Sequence, residues 1–271
     1  MAILSLTKVK KYAVLYRMFI KNCLIAQMEF RGNFLMSLLV ESVYLLAKLL
    51  YVLVVFRTDL HVDGVPPEGL LLFIGMHTVA TGIYVGIFFT NFTKIPDYIK
   101  DGTLDLMITK PVSLQFIASL RYVDLALPIP DILVGAAMII IGWNAMDIPL
   151  SLSTISGFSV LLLVSVIVTY CLMIIPALLS FRFVQTGSAS EIANSLWDAN
   201  NFPMAIYPAW VRRIGTFVVP LFLVTNFGPM FVLGQLTWVH ICLALAGSLL
   251  LFAAVRAIWQ HEVRNYSSAS S

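Results

Sequence analysis

The residue types that could do chemistry are concentrated in residues 94–111, a charged segment between two long apolar runs. Its acidic and basic residues fall at helical spacings, so opposite charges can pair along one face of a short helix. Pro96 fits the first turn of such a helix, and Gly102 can end it. Two interpretations stay open: a solvated connector, or a docking helix that carries force from a soluble partner into the membrane. The candidate residues are Asp97, Lys100, Asp101, Gly102, Asp105, Lys110 and Pro111.

A second polar group lies in apolar surroundings. Glu191, Asn194, Asp198 and Asn201 line one helical face within residues 185–206. Glu41 stands near the middle of an earlier apolar run, and ionisable groups in membrane spans usually face protein or water. The pattern predicts either a polar path or interface between membrane helices or subunits, or a structural polar seam.

Several kinds of chemistry have no motif in the sequence. There is no GxxxxGK[ST], so we expect no ATP hydrolysis by this chain, and HExxH and a nucleophile elbow are also missing. The three cysteines stand alone without CxxC spacing, which predicts inert thiols. A net charge of +3 without a basic patch interleaved with aromatics predicts no nucleic-acid partner. We therefore expect no catalytic, cofactor-binding or metal-binding residues.

Composition places the chain in a membrane. It has 271 residues, of which 60% are hydrophobic and 11% charged, whereas soluble domains carry about 25% charged residues. A soluble fold cannot bury so much apolar surface. The sequence therefore predicts an all-α integral membrane protein, with membrane lipids as its surroundings.

Apolar runs predict the helices that position these residues. Aromatic residues recur at helical spacing over 9–30, which predicts an amphipathic helix on the membrane surface. Pro128 and Pro130 predict a kink or break in the third span. Residues 183–237 leave two candidates for a crossing, 185–206 and 214–236, and positive-inside counting favours the second. The other spans are predicted at about 32–56, 69–92, 116–143, 153–180 and 238–258.

Two motifs resemble those of one membrane family. Asp101–Asp105 followed by Lys110-Pro111 resembles the loop of ABC-2 type ABC transporter permeases. The block Phe202–Trp210, with Val219-Pro220 and Gly228-Pro229 after it, is similar to the stretch before the last span of that family. The resemblance is closest to six-span subunits that are separate from their ATPase.

The resemblance implies a topology. Residues 185–206 become the fifth span, and 214–236 form a re-entrant segment before the last span. Residues 1–31 then form a cytoplasmic N-terminus with an elbow helix, 93–112 a cytoplasmic coupling loop, and 259–271 a cytoplasmic tail. This N-in, C-in arrangement places 13 of the 17 lysines and arginines inside, namely six before Gly32, four in 93–122, and Arg182, Arg256 and Arg264.

The resemblance also implies a function. The chain would be the permease of an ATP-driven exporter in a bacterial inner membrane, moving an amphipathic or lipid-like substrate outward. Two cytoplasmic ATPase subunits, using ATP and Mg, would bind the coupling loop, and a second permease, identical or related, would complete the path. An ion-coupled secondary transporter and a non-transporting membrane assembly protein stay as alternatives, the first suggested by the carboxylates at membrane depth.

Overall fold

A computed structural model describes residues 2–59, 61–62, 65–183 and 186–266, with side chains from residue 9 onward. This part of the chain is helical and contains no β-strand, apart from one isolated bridge between Val62 and Val65. Its α-helices are α1 (Ala2–Glu29), α2 (Arg31–Arg57), α3 (Pro67–Tyr84), α4 (Thr90–Lys100), α5 (Thr103–Ile108), α6 (Leu114–Leu120), α7 (Pro128–Ala145), α8 (Leu152–Met173), α9 (Ile175–Leu179), α10 (Gly187–Asp198), α11 (Ala209–Arg213), α12 (Phe227–Val232) and α13 (Trp238–Asn265).

Within the described residues, five helices are long and apolar enough to cross a membrane. α3 and α4 count as one helix because the π-helical segment Val85–Phe89 joins them without a break, and α8 continues into α9. The five candidate spans are Arg31–Arg57, Pro67–Lys100, Pro128–Ala145, Leu152–Leu179 and Trp238–Asn265. The chain is therefore a multi-pass membrane protein, and the two ends of the bundle are called the Pro67 end and the Lys100 end below.

Glycines bring α3 and α7 into backbone contact. A Cβ atom added at Gly75 would lie 2.8 Å from the carbonyl oxygen of Gly135, and one added at Gly135 would lie 2.8 Å from that of Gly75. A Cβ atom added at Gly82 would lie 2.9 Å from the Cβ atom of Asp131. Such contacts need residues without side chains, as in other close pairs of membrane helices. The spacing of Gly75, Gly82 and Gly86 puts them on one helical face, and that face packs on α7.

α8 runs through the centre of the bundle. Its Leu161, Val164 and Val168 are fully buried and pack with residues of α3, α4 and α13. At the Lys100 end, Arg182 binds Glu262 of α13 through two guanidinium nitrogens, with contacts of 2.6 to 3.0 Å. This ion pair raises the pKa of Arg182 and fixes the end of α13 to the chain that follows α9.

The second and third predicted spans have different bounds in the structure. The second was expected to end at residue 92 but stays helical to Lys100, because Phe92, Ile95 and Tyr98 bury one face of α4 in the core. The third was expected to begin at residue 116, but α6 ends at Leu120 and the span begins at Pro128. The predicted break is present, since a proline without an N–H group fits the first turn of α7.

The predicted fifth span forms a shorter helix. α10 is about 18 Å long at 1.5 Å per residue, and a 3₁₀ turn at Ala199–Asn201 extends it slightly. A hydrocarbon core is about 30 Å thick, so α10 is not among the five candidate spans. The crossing over 185–206, of which residue 185 lies outside the described residues, stays a prediction.

The stretch between α10 and α13, which includes the segment 214–236, is broken into short helices. α11 leads into a π-helical segment at Ile214–Val218, and a 3₁₀ turn at Leu221–Leu223 precedes α12. Pro220 interrupts the helix because it lacks an N–H group. The re-entrant placement itself stays a prediction. α13 continues through the first part of the predicted tail 259–271, whose residues 267–271 lie outside the described part.

Candidate functional site

The charged segment turns sharply where α4 ends. Gly102 has φ +73°, a left-handed conformation that favours glycine. The Asp101 carboxylate accepts a hydrogen bond of 2.9 Å from the backbone N–H of Thr103, which lowers the pKa of Asp101. A lowered pKa means that this stabilisation is present above the ordinary pKa of an aspartate and is lost as pH falls through the lowered value. The long helix Pro67–Lys100 therefore ends in a defined corner.

The connection between α4 and α6, residues 101–113, presents an apolar surface outward. Within α5, Leu104 and Met107 are buried, whereas Leu106 is 69% and Ile108 45% exposed. The sequence analysis selected only polar residues here and missed these two. The signal for residue 106 was available, because the residues at 104 and 107 share one helical face and leave 106 on the opposite side.

The predicted polar residues surround that apolar surface. Asp97, Lys100, Asp101, Lys110 and Pro111 are exposed, while Gly102 and Asp105 are half-exposed. Asp105 lies in the first turn of α5, where a carboxylate is favourable to the helix dipole. The structure thus places all seven predicted residues at the Lys100 end, around α5.

α1 holds the connection and the chain after it. Lys11 donates a hydrogen bond of 2.9 Å to the carbonyl of Pro111, and the hydroxyl of Tyr12 accepts one of 3.0 Å from the backbone N–H of Ser113. Further along α1, Gln27 donates to the carbonyl of Val123 at 3.1 Å and accepts from the N–H of Leu125 at 3.3 Å. α1 is joined to α2 at Phe30, so a movement of the connection can reach α2 through α1.

Asn91 joins the second span to the same region. Its amide nitrogen donates to the carbonyl oxygens of Ile87 and Tyr122, each at 2.7 Å, and its amide oxygen accepts from the N–H of Tyr122 at 2.9 Å. The side chain is 1% exposed. The sequence analysis did not select Asn91, because its partner is the backbone of a residue 31 positions away.

The polar face of α10 is largely exposed. Glu191, Asn194 and Asp198 are exposed, and Asn201 is half-exposed with its amide donating to the carbonyl of Asp198 at 3.0 Å. Glu41 is not in this row: it is half-buried on α2, which packs on α7. The structure therefore separates Glu41 from the other four predicted residues of the path or interface.

Neighbouring polar residues, which the sequence analysis did not select, tie α10 to the broken segment. The buried side chain of Asn200 accepts a hydrogen bond of 3.1 Å from the hydroxyl of Thr225, which in turn accepts one of 3.0 Å from Asn226. The amide oxygen of Asn226 accepts from the N–H of Met204 at 2.7 Å. Their residue types resemble those of the exposed row, so the sequence alone did not distinguish them.

One cavity brings the two predicted groups together. It has a volume of about 530 Å³ and is lined by residues of α4, α9 and α10. Lys100 from the charged segment and Asn194 from the polar face both line it, with hydroxyls from Thr93 and Ser190. Tyr84, Phe89 and Phe92 add aromatic surface. The cavity can therefore receive a molecule with both a polar and an apolar part.

Comparison with known proteins agrees with this architecture. Residues 42–270 match the family model described as ABC-2 family transporter protein. The chain belongs to the ABC-2 transporter family. No curated protein and no solved structure matches the sequence.

Membership of the ABC-2 family states the general role of the chain. ABC-2 permeases are membrane transport domains that are not themselves catalytic and generally work with an ATPase subunit. The matched range includes the charged segment, the polar face of α10 and the broken segment. All three features therefore belong to the transport domain.

Proposed function

We propose that this chain is the permease subunit of an ATP-driven exporter that works with a separate ATPase. The observation that carries the proposal is the continuous helix Pro67–Lys100, which ends at a fixed corner beside an exposed apolar α5. A contiguous exposed apolar patch that is rimmed by polar residues is typical of a protein docking site, and we assign the patch on α5 to one. A force on α5 acts directly on a membrane-spanning helix, and it reaches α2 through α1.

The proposal includes an orientation and an assembly. The Lys100 end is cytoplasmic, as are both termini, in a bacterial inner membrane. Two ATPase subunits using ATP and Mg bind there, and a second permease, identical or related, faces the exposed polar row of α10. α10 acts as the sixth crossing: its first residues line the cavity with Lys100, while Phe202 beyond its end packs on Tyr51 of α2, with ring centroids 5.3 Å apart. The broken segment is the re-entrant part.

The cavity at the Lys100 end supports an amphipathic or lipid-like substrate. Lys100 offers hydrogen-bond donors to a polar head, and the hydroxyl oxygens of Thr93 and Ser190, whose hydrogens are donated to backbone carbonyls, can accept hydrogen bonds from it. Phe89 offers apolar surface to a hydrophobic part. Because the helix Pro67–Lys100 forms one wall, a movement driven through α5 would change the shape of the cavity. Export would follow from this coupling.

We expect the Leu106→Asp variant to retain at least tenfold less ATPase subunit than the unmodified chain. A charge on the exposed surface of α5 opposes burial of that surface, and loss of a central apolar contact costs on the order of 2 kcal/mol. The measurement is purification of a tagged chain from native membranes in mild detergent, with mass spectrometry and an ATPase assay.

The matched control is Leu152→Asp, an exposed leucine at the opposite end of the bundle, which should retain the ATPase. Two other results have different meanings. An unmodified chain that purifies without any P-loop ATPase contradicts the proposed function. Full retention of an ATPase by Leu106→Asp contradicts only the docking site.

A further inference from the structure

A second cavity lies between α1, α6, α8 and α13. The described residues that line it are all different from those that line the cavity with Lys100. Its volume is about 550 Å³, which is within the range of about 300–1,000 Å³ that is typical of small-molecule sites. Phe252 is 36% exposed and Arg256 is exposed, so the cavity is open at α13. A molecule can therefore enter it from the membrane that surrounds the chain.

Hydrogen-bonding side chains from three helices meet in one part of this cavity. The amide nitrogen of Gln115 donates to the hydroxyl of Tyr170 at 2.9 Å, and that hydroxyl is 3.0 Å from the hydroxyl of Ser119. The amide of Gln115 has a second N–H group for a ligand. The hydroxyl of Tyr12 accepts the N–H of Ser113, and its own hydrogen has no acceptor among the described residues. The cavity therefore offers hydrogen-bond donors from α1 and α6.

Arg256 gives the cavity a positive charge. It is the only lysine, arginine, aspartate or glutamate among the described residues of the lining, and it has no ion-pair or hydrogen-bond partner in the described part of the chain. The guanidinium group is a planar fork of N–H donors that matches the oxygens of a phosphate. The neighbouring α1 has no carboxylate before Glu29. Its exposed basic residues are Lys10, Lys11, Arg17 and Lys21. The site is therefore complementary to an anion, and to a phosphate in particular.

The polar and apolar parts of the cavity follow each other in the order found in a phospholipid. Tyr170 lies one turn beyond Val166 on α8, about 6 Å nearer the Lys100 end. Arg256 lies one turn beyond Phe252 on α13 in the same direction, and the rings of Tyr170 and Phe252 are 5.8 Å apart. Counted from the exposed Trp238, Arg256 lies about 27 Å along α13, and a hydrocarbon core is about 30 Å thick. The polar part is therefore at the level of the lipid phosphates, and the apolar part is inside the core.

We propose that this cavity binds one phospholipid with an anionic headgroup. The phosphate binds Arg256, and the acyl chains lie against Val166, Ile167 and Phe252. The described lining contains no carboxylate, so it favours a net negative headgroup over a zwitterionic one, whose cation needs an anionic partner. The bound lipid connects α13 with α1 through Arg256 and Tyr12. The site is independent of the proposed ATP-driven export, because neither the ATPase nor the substrate cavity takes part in it.

Native mass spectrometry of the full chain in mild detergent, titrated with dioleoyl phosphatidylglycerol, tests the site. We expect one lipid per chain to bind most tightly, and Arg256→Gln to weaken this binding at least tenfold. Arg256→Lys keeps the charge but loses the paired hydrogen bonds, so its affinity should lie between the two. Arg256 is exposed, so both variants are expected to fold. The same lipid should raise the melting temperature of the unmodified chain, but not that of Arg256→Gln.

Arg264→Gln is the matched control, because Arg264 is exposed on the same helix and is not among the residues that line the cavity. It removes the same charge and should leave the affinity unchanged. Equal affinities of Arg256→Gln and Arg264→Gln for the lipid overturn the site, because they reflect only a general attraction of anionic lipid to the protein surface. Equal affinity of the unmodified chain for dioleoyl phosphatidylcholine overturns the anionic headgroup. Displacement of the lipid by inorganic phosphate at equal concentration overturns the lipid in favour of a free phosphate ion.

Discussion

Replacement of Gly135 by leucine is expected to leave almost no monodisperse protein in detergent. A side chain at Gly135 would meet the carbonyl oxygen of Gly75 at 2.8 Å and the backbone nitrogen of Val79 at 2.9 Å. Both are main-chain atoms, which cannot rotate away, so α3 and α7 would have to separate. Overpacking by side chains alone costs about 1–3 kcal/mol, and parting two packed helices costs more, against a total stability of about 5–15 kcal/mol. Size-exclusion profiles after graded heating measure the loss.

Gly247→Leu is the matched control for this prediction. Gly247 is exposed on α13, and no atom lies within 4 Å of a Cβ atom built there. The same substitution should therefore leave the profile unchanged. In Gly75→Leu the new side chain would contact the carbonyl oxygen of Gly135 at 2.8 Å. This variant should therefore also yield almost no monodisperse protein. A Gly135→Leu protein with the melting temperature of the unmodified chain would refute the backbone contact.

The long helices and a face of α3 that permits close helix packing could be predicted from the sequence. Sustained apolar runs indicate membrane spans because a hydrocarbon core requires about 20 apolar residues. Glycines at 75, 82 and 86 share a face, and Pro128 indicates the start of a helix. Each of these signals lies within a single helix, so it can be recognised without knowledge of the tertiary structure.

Helix bounds at the Lys100 end could not be predicted in the same way. Charges at 94, 97 and 100 indicate a short helix separate from the second span, yet Phe92, Ile95 and Tyr98 continue that span because the core of the bundle covers them. The length of α10 could not be predicted from hydropathy either, because a row of polar residues lies along this helix. Tertiary packing decides where each of these helices ends.

The polar residues of the candidate site were identified, but their partners were not. Asp101 and Gly102 were selected from the sequence, and they do form the corner after α4. Tyr12, Gln27 and Asn91 were missed as site residues because they bind main-chain atoms distant in sequence. A backbone carbonyl is present at every residue, so the sequence has no signal for its partner.

Replacement of Asn91 by leucine is expected to lower the melting temperature on the order of 10 °C. Leucine cannot donate to the carbonyl of Tyr122 or accept from its N–H group, so two buried main-chain groups lose their partner. Each unsatisfied buried group costs about 1–3 kcal/mol, which gives about 2–6 kcal/mol in total. A protein of this size loses about 2–4 °C per kcal/mol. Thermal unfolding in detergent, followed by intrinsic fluorescence, measures the change.

Comparison with Asn144→Leu separates the hydrogen bonds from other effects of the substitution. Asn144 is exposed near the end of α7, so the same change there should leave the melting temperature within about 1 °C. Asparagine and leucine are similar in size, so a large loss at Asn91 alone reflects the missing bonds rather than a cavity. Because Tyr122 follows the connection, this variant should also loosen α5 and retain less ATPase. Equal melting temperatures for the two variants would show that Asn91 does not hold the connection to the second span.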